Sequence, residues 1–335
     1  MKRIIPLIVV LTLLSTGCGA FGGGDGELVI YSGRTRELID PLLMRFSEET
    51  NTPIAVKYGT TQELAITLAE EGDRSPADVF ISQAPGATGF LLSQGMLAPL
   101  PAEELGAVPE RFRGPDGEWV GLTARLRVLV YNSELVAESD LPRSVFDLAA
   151  PEYAGRVGIA PTNASFQDFV TAMRQVEGDE RTMQWLRAMA VQGSPTYANN
   201  NAIVEAVSRG EIPLGLVNHY YNERFLAEDP SLPSRNYVFP DGDIGSVLLE
   251  TTASVLRTSD QPEAAARFIE FLLSEGAQRY FADETFEYPL VEGVPPATDI
   301  PDLGEIQLPN VDLGQLGEGY ERTTQMIRES GLVAA

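Results

Sequence analysis

The chain has 335 residues, with 24 basic side chains against 48 acidic ones, a formal net charge of −24, one histidine and one cysteine. So acidic a surface repels nucleic acid, and the length exceeds what one hydrophobic core usually serves, so two lobes and a monomer are expected. A single histidine excludes a zinc site built from two or three of them, and a lone cysteine leaves no intramolecular disulfide.

Lys2 and Arg3 precede an apolar run from Ile4 to Leu14. That run is too short to span a bilayer, where about 20 residues are needed, and fits the core of a secretory signal. Leu14-Ser15-Thr16-Gly17-Cys18 resembles the lipobox of bacterial lipoproteins, with Ser15 where many carry Leu. Residues 1–17 are therefore expected to be a lipoprotein signal peptide, Cys18 the lipidated residue, and residues 18–26 a glycine-rich tether. The expected location is extracytoplasmic, held to the cell membrane by the lipid alone, in the periplasm if there is an outer membrane.

Strand and helix signals then alternate. Leu28 to Ser32 reads as a strand, and Leu38, Leu42, Leu43 and Phe46 recur at helical spacing, with Pro41 suggesting a break. Ile54 to Tyr58 is a second strand. Thr60 with Glu63 forms a capping box for a helix reaching Glu71, where Gly72 ends it. Asp78 to Ser82 is a third strand, with a helix near residues 86–94. This βαβαβ order predicts a parallel sheet covered on both faces.

After a loop over residues 99–118, strands are expected at residues 127–131 and 157–160. Thr162-Asn163-Ala164-Ser165 leads into a helix of residues 166–177, followed by another at 180–191. Three asparagines, Asn199 to Asn201, precede a helix at 203–209. Leu214 to Val217 is a strand, and Asn218-His219-Tyr220-Tyr221 opens the next helix. Residues 247–256 are β-rich, residues 263–274 form an amphipathic helix, and residues 289–309 read as an extended connection. The pattern predicts two α/β lobes, residues 27–122 plus 252–300 and residues 123–251 plus 301–335. Crossing strands join them near 120–127 and 247–256, with a ligand cleft at the carboxyl ends of the strands.

Catalytic motifs are missing: no H-E-x-x-H, C-x-x-C, G-x-S-x-G or P-loop occurs, and only Lys2 and Lys57 are lysines. Acidic pairs such as Glu48-Glu49 read as solvated helix faces. The chain is not expected to be an enzyme. Tyr220 and Tyr221, side by side at a strand-to-helix junction, can both face a cleft, which regular strand alternation forbids. Two phenolates suit a hard cation such as Fe3+. On residue chemistry alone, a half-buried aromatic pair packing a helix start is the commoner reading of such a pair. Likewise the helix start at Asn163 to Ser165 either offers free N–H groups to an anion or is simply capped. Thr35 and Gln83 lie just past strands, facing the expected cleft.

Four stretches resemble the bacterial ferric-ion-binding proteins, the iron receptors of ABC importers with the periplasmic-binding-protein type II fold. They are Val29-Ile30-Tyr31-Ser32-Gly33-Arg34, Glu70 to Phe80, Gly158 to Phe166, and Gly210 through Tyr221. The resemblance implies an α/β fold of mixed, mainly parallel sheets with helices on both faces. It implies that Tyr220 and Tyr221 bind Fe3+, with Gln83 a further candidate metal ligand. Asn163, Ala164, Ser165, Asn200 and Asn218 would hold a synergistic anion, carbonate or phosphate. The implied partners are an ABC permease and its ATPase. The chain departs from the family pattern at Thr35, where well-known members have histidine, at Gln83, where they have glutamate, and at Phe166, near which others use a third tyrosine. The remaining readings are a receptor for another small ligand or an iron chelate, and a ligand sensor not coupled to transport.

Overall fold

The computed structural model describes residues 26–297, 300–312, 316 and 319–333. The expected signal peptide, Cys18 and all but the last residue of the tether lie outside the described residues.

The apolar run Leu28–Ser32 forms β1, fully buried. It pairs in parallel with β2 (Ile54–Tyr58) and β3 (Val79–Ser82), with Leu28 opposite Ile54 and Ile30 opposite Val79. Between β1 and β2 runs α1 (Arg36–Thr50), which buries Leu38, Ile39, Leu42, Leu43 and Phe46. The helix continues through Pro41, where a break was expected. Proline removes only one helical donor here, and the carbonyl of Glu37 that loses it accepts from the Tyr280 hydroxyl at 3.4 Å instead. The capping box forms as predicted on α2 (Thr61–Glu71), with the Thr60 hydroxyl accepting from the Glu63 N–H and the Glu63 carboxylate accepting from the Thr60 N–H. Gly72 follows at φ 54°, a conformation glycine takes without strain. Pro85 starts α3 (Pro85–Ser93), where a missing N–H costs nothing.

The loop over residues 99–118 follows the short β4 (Leu97–Ala98) and contains α4 (Ala102–Gly106). Then comes β5 (Val120–Asn132), thirteen buried residues that begin well before the predicted Arg127. Its first half pairs antiparallel with β9 (Leu248–Leu256), and its second half with β7 (Leu214–Asn218) and β8 (Ser234–Tyr237). The strand order is β2-β1-β3-β9-β5-β7-β6, where β6 is Val157–Gly158. The sheet is mixed, as expected. Its parallel character holds for β1, β2, β3 and for β6 with β7. It gives way to antiparallel pairing wherever β5 and β9 enter, so mainly parallel describes the outer strands alone.

The two predicted helices, at residues 166–177 and 180–191, form the two arms of α5 (Ala164–Val191), which meet in a kink at Gly178, non-helical with φ 83° and ψ 159°. Helix α6 (Asn200–Ser208) precedes β7, and α7 (His219–Glu228) follows it directly. The predicted amphipathic helix is α8 (Pro262–Leu273). Besides β4, α4 and β8, the elements α9 (Glu275–Thr285), β10 (Tyr288–Pro289) and α10 (Tyr320–Glu329) lay beyond the sequence reading. The core runs through β5 and β9, with Phe46 packed on Phe268 at 5.1 Å between ring centroids. Truncating such a buried phenylalanine to alanine costs about 3–5 kcal/mol. Among the described residues, no helix is long and apolar enough to cross a membrane.

Candidate functional site

A cleft of about 630 Å3 opens where β1, β2, β3 and β7 end, beside Arg125 in the middle of β5. One wall carries Thr35, Thr60, Thr61 and Gln83. The other carries Asn163, Ala164, Ser165, Asn218, Tyr220 and Tyr221, with Arg125 and Asp168 between.

The tyrosines stand where β7 turns directly into α7, with Asn218 as the N-cap in extended conformation. That abrupt change from strand to helix lets consecutive side chains share one side. Their rings stack with centroids 4.2 Å apart and planes at 29°. Burial, followed by the neighbouring Tyr221, pushes the Tyr220 phenol well above 10, and the Arg125 guanidinium partly offsets this. The phenol is therefore neutral near neutral pH, and a cation that binds it as phenolate must displace its proton. His219, one residue earlier, points away. Its Nδ1 accepts from the Leu126 N–H at 3.1 Å, so its Nε2 carries the proton and donates to the Phe286 carbonyl at 2.7 Å. Burial lowers its pKa to about 4, and the ring stays neutral.

On the same wall, the first turn of α5 is held by Asn163, whose Oδ1 accepts from the Ser165 N–H at 3.1 Å and the Ser165 hydroxyl at 2.7 Å. The Ala164 N–H remains uncommitted there, at the positive end of the helix dipole. Asn200 does not line the cleft. It is buried one layer behind, donating to Asn163 Oδ1 and to the Ser165 hydroxyl, each at 3.3 Å. It positions the two residues that do face the cleft.

Behind this layer lies Arg127, fully buried. It donates to Asn200 Oδ1 at 3.5 Å, Asn218 Oδ1 at 3.4 Å and the Leu216 carbonyl at 2.9 Å, and its charge faces Phe166 and Phe169. Burial lowers its pKa to about 9, high enough to keep it charged near neutral pH. Phe166 stacks on Trp185 inside the core and supports Arg127, so it offers nothing to the cleft. Arg125 donates to the Thr251 hydroxyl at 2.8 Å and to the Gln83 carbonyl. Gln83 is thus fixed through its backbone, since its N–H also donates to the Thr61 hydroxyl at 3.1 Å. Thr35, the N-cap of α1, makes no capping bond through its side chain. Arg34 forms a buried ion pair with Glu287 and reaches Thr123 and Thr251, tying β5 to β9. Two more carboxyls are buried near Arg125: burial raises Asp168 to about 7 and Glu250 to about 8.

Sequence reading missed Arg34, Arg125 and Arg127 as a set. The signal was present in Thr123-Ala-Arg125-Leu-Arg127, where charges at alternate positions of an apolar strand share one face. Asp168 and Glu250 carry no comparable local signal.

Residues 74–311 match the family model described as bacterial extracellular solute-binding protein. The chain is 30% identical over 338 residues to the Fe(3+)-binding periplasmic protein of Serratia marcescens, covering 99% of each. It is similar to iron-bound HitA of Pseudomonas aeruginosa, with a TM-score of 0.86 and 33% identity over 91% of this chain and 99% of that one. It is also similar to the FutA (IdiA) protein of Trichodesmium, solved with iron and citrate, with a TM-score of 0.80 and 26% identity over 91% and 99%.

Proposed function

The chain belongs to the bacterial ferric-ion-binding proteins, extracellular solute-binding proteins of the periplasmic-binding-protein type II fold, and on that premise we propose that it captures ferric iron outside the cytoplasm. Tyr220 and Tyr221 supply two phenolates, and Asn163, Ala164, Ser165 and Asn218 hold a synergistic carbonate or phosphate that completes the shell, with Gln83 within reach as a neutral oxygen donor. The protein then hands its cargo to the permease of an ABC importer powered by its ATPase, while Cys18 anchors it by lipid. The chain acts as a carrier rather than an enzyme, and its two lobes meet at the crossing strands β5 and β9.

The observation that carries this reading is the stacked tyrosine pair sharing one cavity wall with the start of α5. A trivalent ion prefers anionic oxygen, and the tyrosine protons must leave as it binds, so affinity falls with falling pH. Arg127, one layer behind the asparagines, favours negative charge at the anion position.

The test is a visible absorption titration of the soluble chain with ferric citrate in bicarbonate and in phosphate, beside Tyr220→Phe/Tyr221→Phe. A phenolate-to-iron charge-transfer band that saturates with iron and vanishes in the variant is expected. The absence of a band in every buffer would overturn the tyrosinate mechanism.

A second reading, a ferric chelate as cargo, is favoured by the cleft itself. About 630 Å3 far exceeds one ion and a small anion, and Arg36 and Arg125 both line it. Those two cations suit the free carboxylates of a chelator such as citrate. Equilibrium dialysis with labelled citrate separates the readings: citrate retained with the iron supports the chelate, and citrate lost supports the bare ion.

A further inference from the structure

Strand alternation sends Arg125 and Arg127 toward the cleft and Leu126 and Val128 to the opposite side of β5. On that opposite side lies a second cavity, of about 580 Å3, walled by Leu126, Val128, Leu226 and Val238. His219 and Tyr288 also border it. His219 is the residue before the cleft tyrosines, so the two cavities stand back to back across the start of α7.

Tyr288 is the informative residue. It is 1% exposed, and its hydroxyl has no hydrogen-bond partner among the described residues. Leaving a buried hydroxyl unpaired is unfavourable, and such a group marks a place where a partner arrives. The hydroxyl sits in the field of two carboxylates, Glu223 in this cavity and Asp302 in the neighbouring one that Tyr288 also borders. Arg235 also lines the cavity, at its exposed rim and bonded to the Leu232 and Ser234 carbonyls, and Glu223 already accepts from the Asn236 amide at 2.7 Å. At the Tyr288 end an anion still meets two carboxylates, whereas an ammonium group can donate to the phenol oxygen and to Glu223. The apolar walls require the rest of the visitor to be hydrocarbon, and the volume falls in the range of small-molecule sites, roughly 300–1,000 Å3.

We propose that this cavity is a second ligand site, taking a primary amine with an apolar body, its nitrogen held by the Tyr288 hydroxyl and the Glu223 carboxylate. The site goes beyond iron capture and does not depend on it, because an amine of this kind carries no oxygen donor for the cleft. Phe286 lines the same cavity in a left-handed backbone conformation, φ 58°, and its carbonyl receives the His219 proton. Ligand here therefore touches the residue that fixes the base of the tyrosine turn.

Isothermal titration of the whole chain with 2-phenylethylamine tests the assignment, without iron present. Saturable binding is expected, weakened about tenfold in Tyr288→Phe, as for loss of one charge-assisted hydrogen bond. Ala227→Trp, at the exposed rim of the cavity, should abolish binding by filling it. Because Tyr288→Phe removes only an unpartnered hydroxyl, its melting temperature should not fall, which separates lost binding from lost folding. No saturable binding to the unaltered chain, or binding that either variant leaves unchanged, overturns the proposal. The readout involves no iron absorbance, so its failure and that of the iron reading are independent.

Discussion

The two walls of the cleft are built on different principles. On the wall formed by α5, β7 and α7, the asparagines are fixed by other side chains: Asn163 by Ser165 and Asn200, Asn200 and Asn218 by Arg127. On the wall of Thr35 and Gln83, the backbone is what is held. Gln83 is pinned through its N–H and carbonyl by Thr61 and Arg125, and Thr35 caps nothing with its side chain. The first wall is preorganised, and under the proposed function it would hold the ion and its anion while the second encloses them. Binding energy is thus expected to be concentrated in the first wall.

The strongest way to break this comparison is to remove what backs the organised wall. Arg127→Met takes partners from three oxygens, those of Asn200, Asn218 and Leu216, and is expected to cost about 3 kcal/mol in urea unfolding. The same variant should lose the difference in iron affinity between phosphate and an inert buffer. Retention of that difference would show that Arg127 does not act on the anion.

The next effect concerns acid. The folded pKa of His219, about 4, lies below its ordinary 6.5 because burial favours the neutral ring. The unfolded chain then binds the extra proton, so the stability this residue supplies is complete above pH 6.5 and is lost as pH falls toward 4. The loss should reach about 2–3 kcal/mol at the lower limit. His219→Gln keeps an acceptor for Leu126 and a donor for Phe286 without titrating, so its unfolding midpoint should vary less across that interval. An equal slope in both proteins would remove His219 from the account.

The smallest change sharpens the contrast from the other side. Gln83→Glu gives the second wall an anionic oxygen, and iron should bind about tenfold tighter, worth about 1.4 kcal/mol. Competition with a calibrated chelator measures this, and unchanged affinity would mean that residue 83 stays outside the metal's shell.

Much of this molecule was legible in its sequence, and what escaped has physical reasons. The capping box at Thr60 and Glu63, the strand of Leu28 to Ser32 and the helix opening at Asn218 follow from local chemistry, which the chain satisfies within a few residues. The start of β5 escaped because Val120 to Leu126 pairs with β9, more than a hundred residues away, and a loop-like flank concealed it. Pro41 misled because Tyr280, far along the chain, takes over the carbonyl that proline strands. At the site, the tyrosines and asparagines were visible as a pattern, whereas the depth of Asn200 was not. Its neighbours Asn199 and Asn201 have the same side chain, and only tertiary packing selects which of the three turns inward.

The guanidinium of Arg127 has consequences for how the protein behaves in different media. Of the three buried arginines around the cleft, Arg34 is ion-paired with Glu287 and Arg125 has Asp168 and Glu250 near it, whereas Arg127 rests on neutral oxygens and aromatic rings. Under the proposed function, an anion in the cleft would supply the counter-charge. The native state is therefore linked to the anion content of the surroundings, and each tenfold excess of a binding anion over its dissociation constant adds about 1.4 kcal/mol to the folded form. An iron-free chain should melt higher in phosphate than in chloride of equal ionic strength, which makes the medium itself part of the protein's stability.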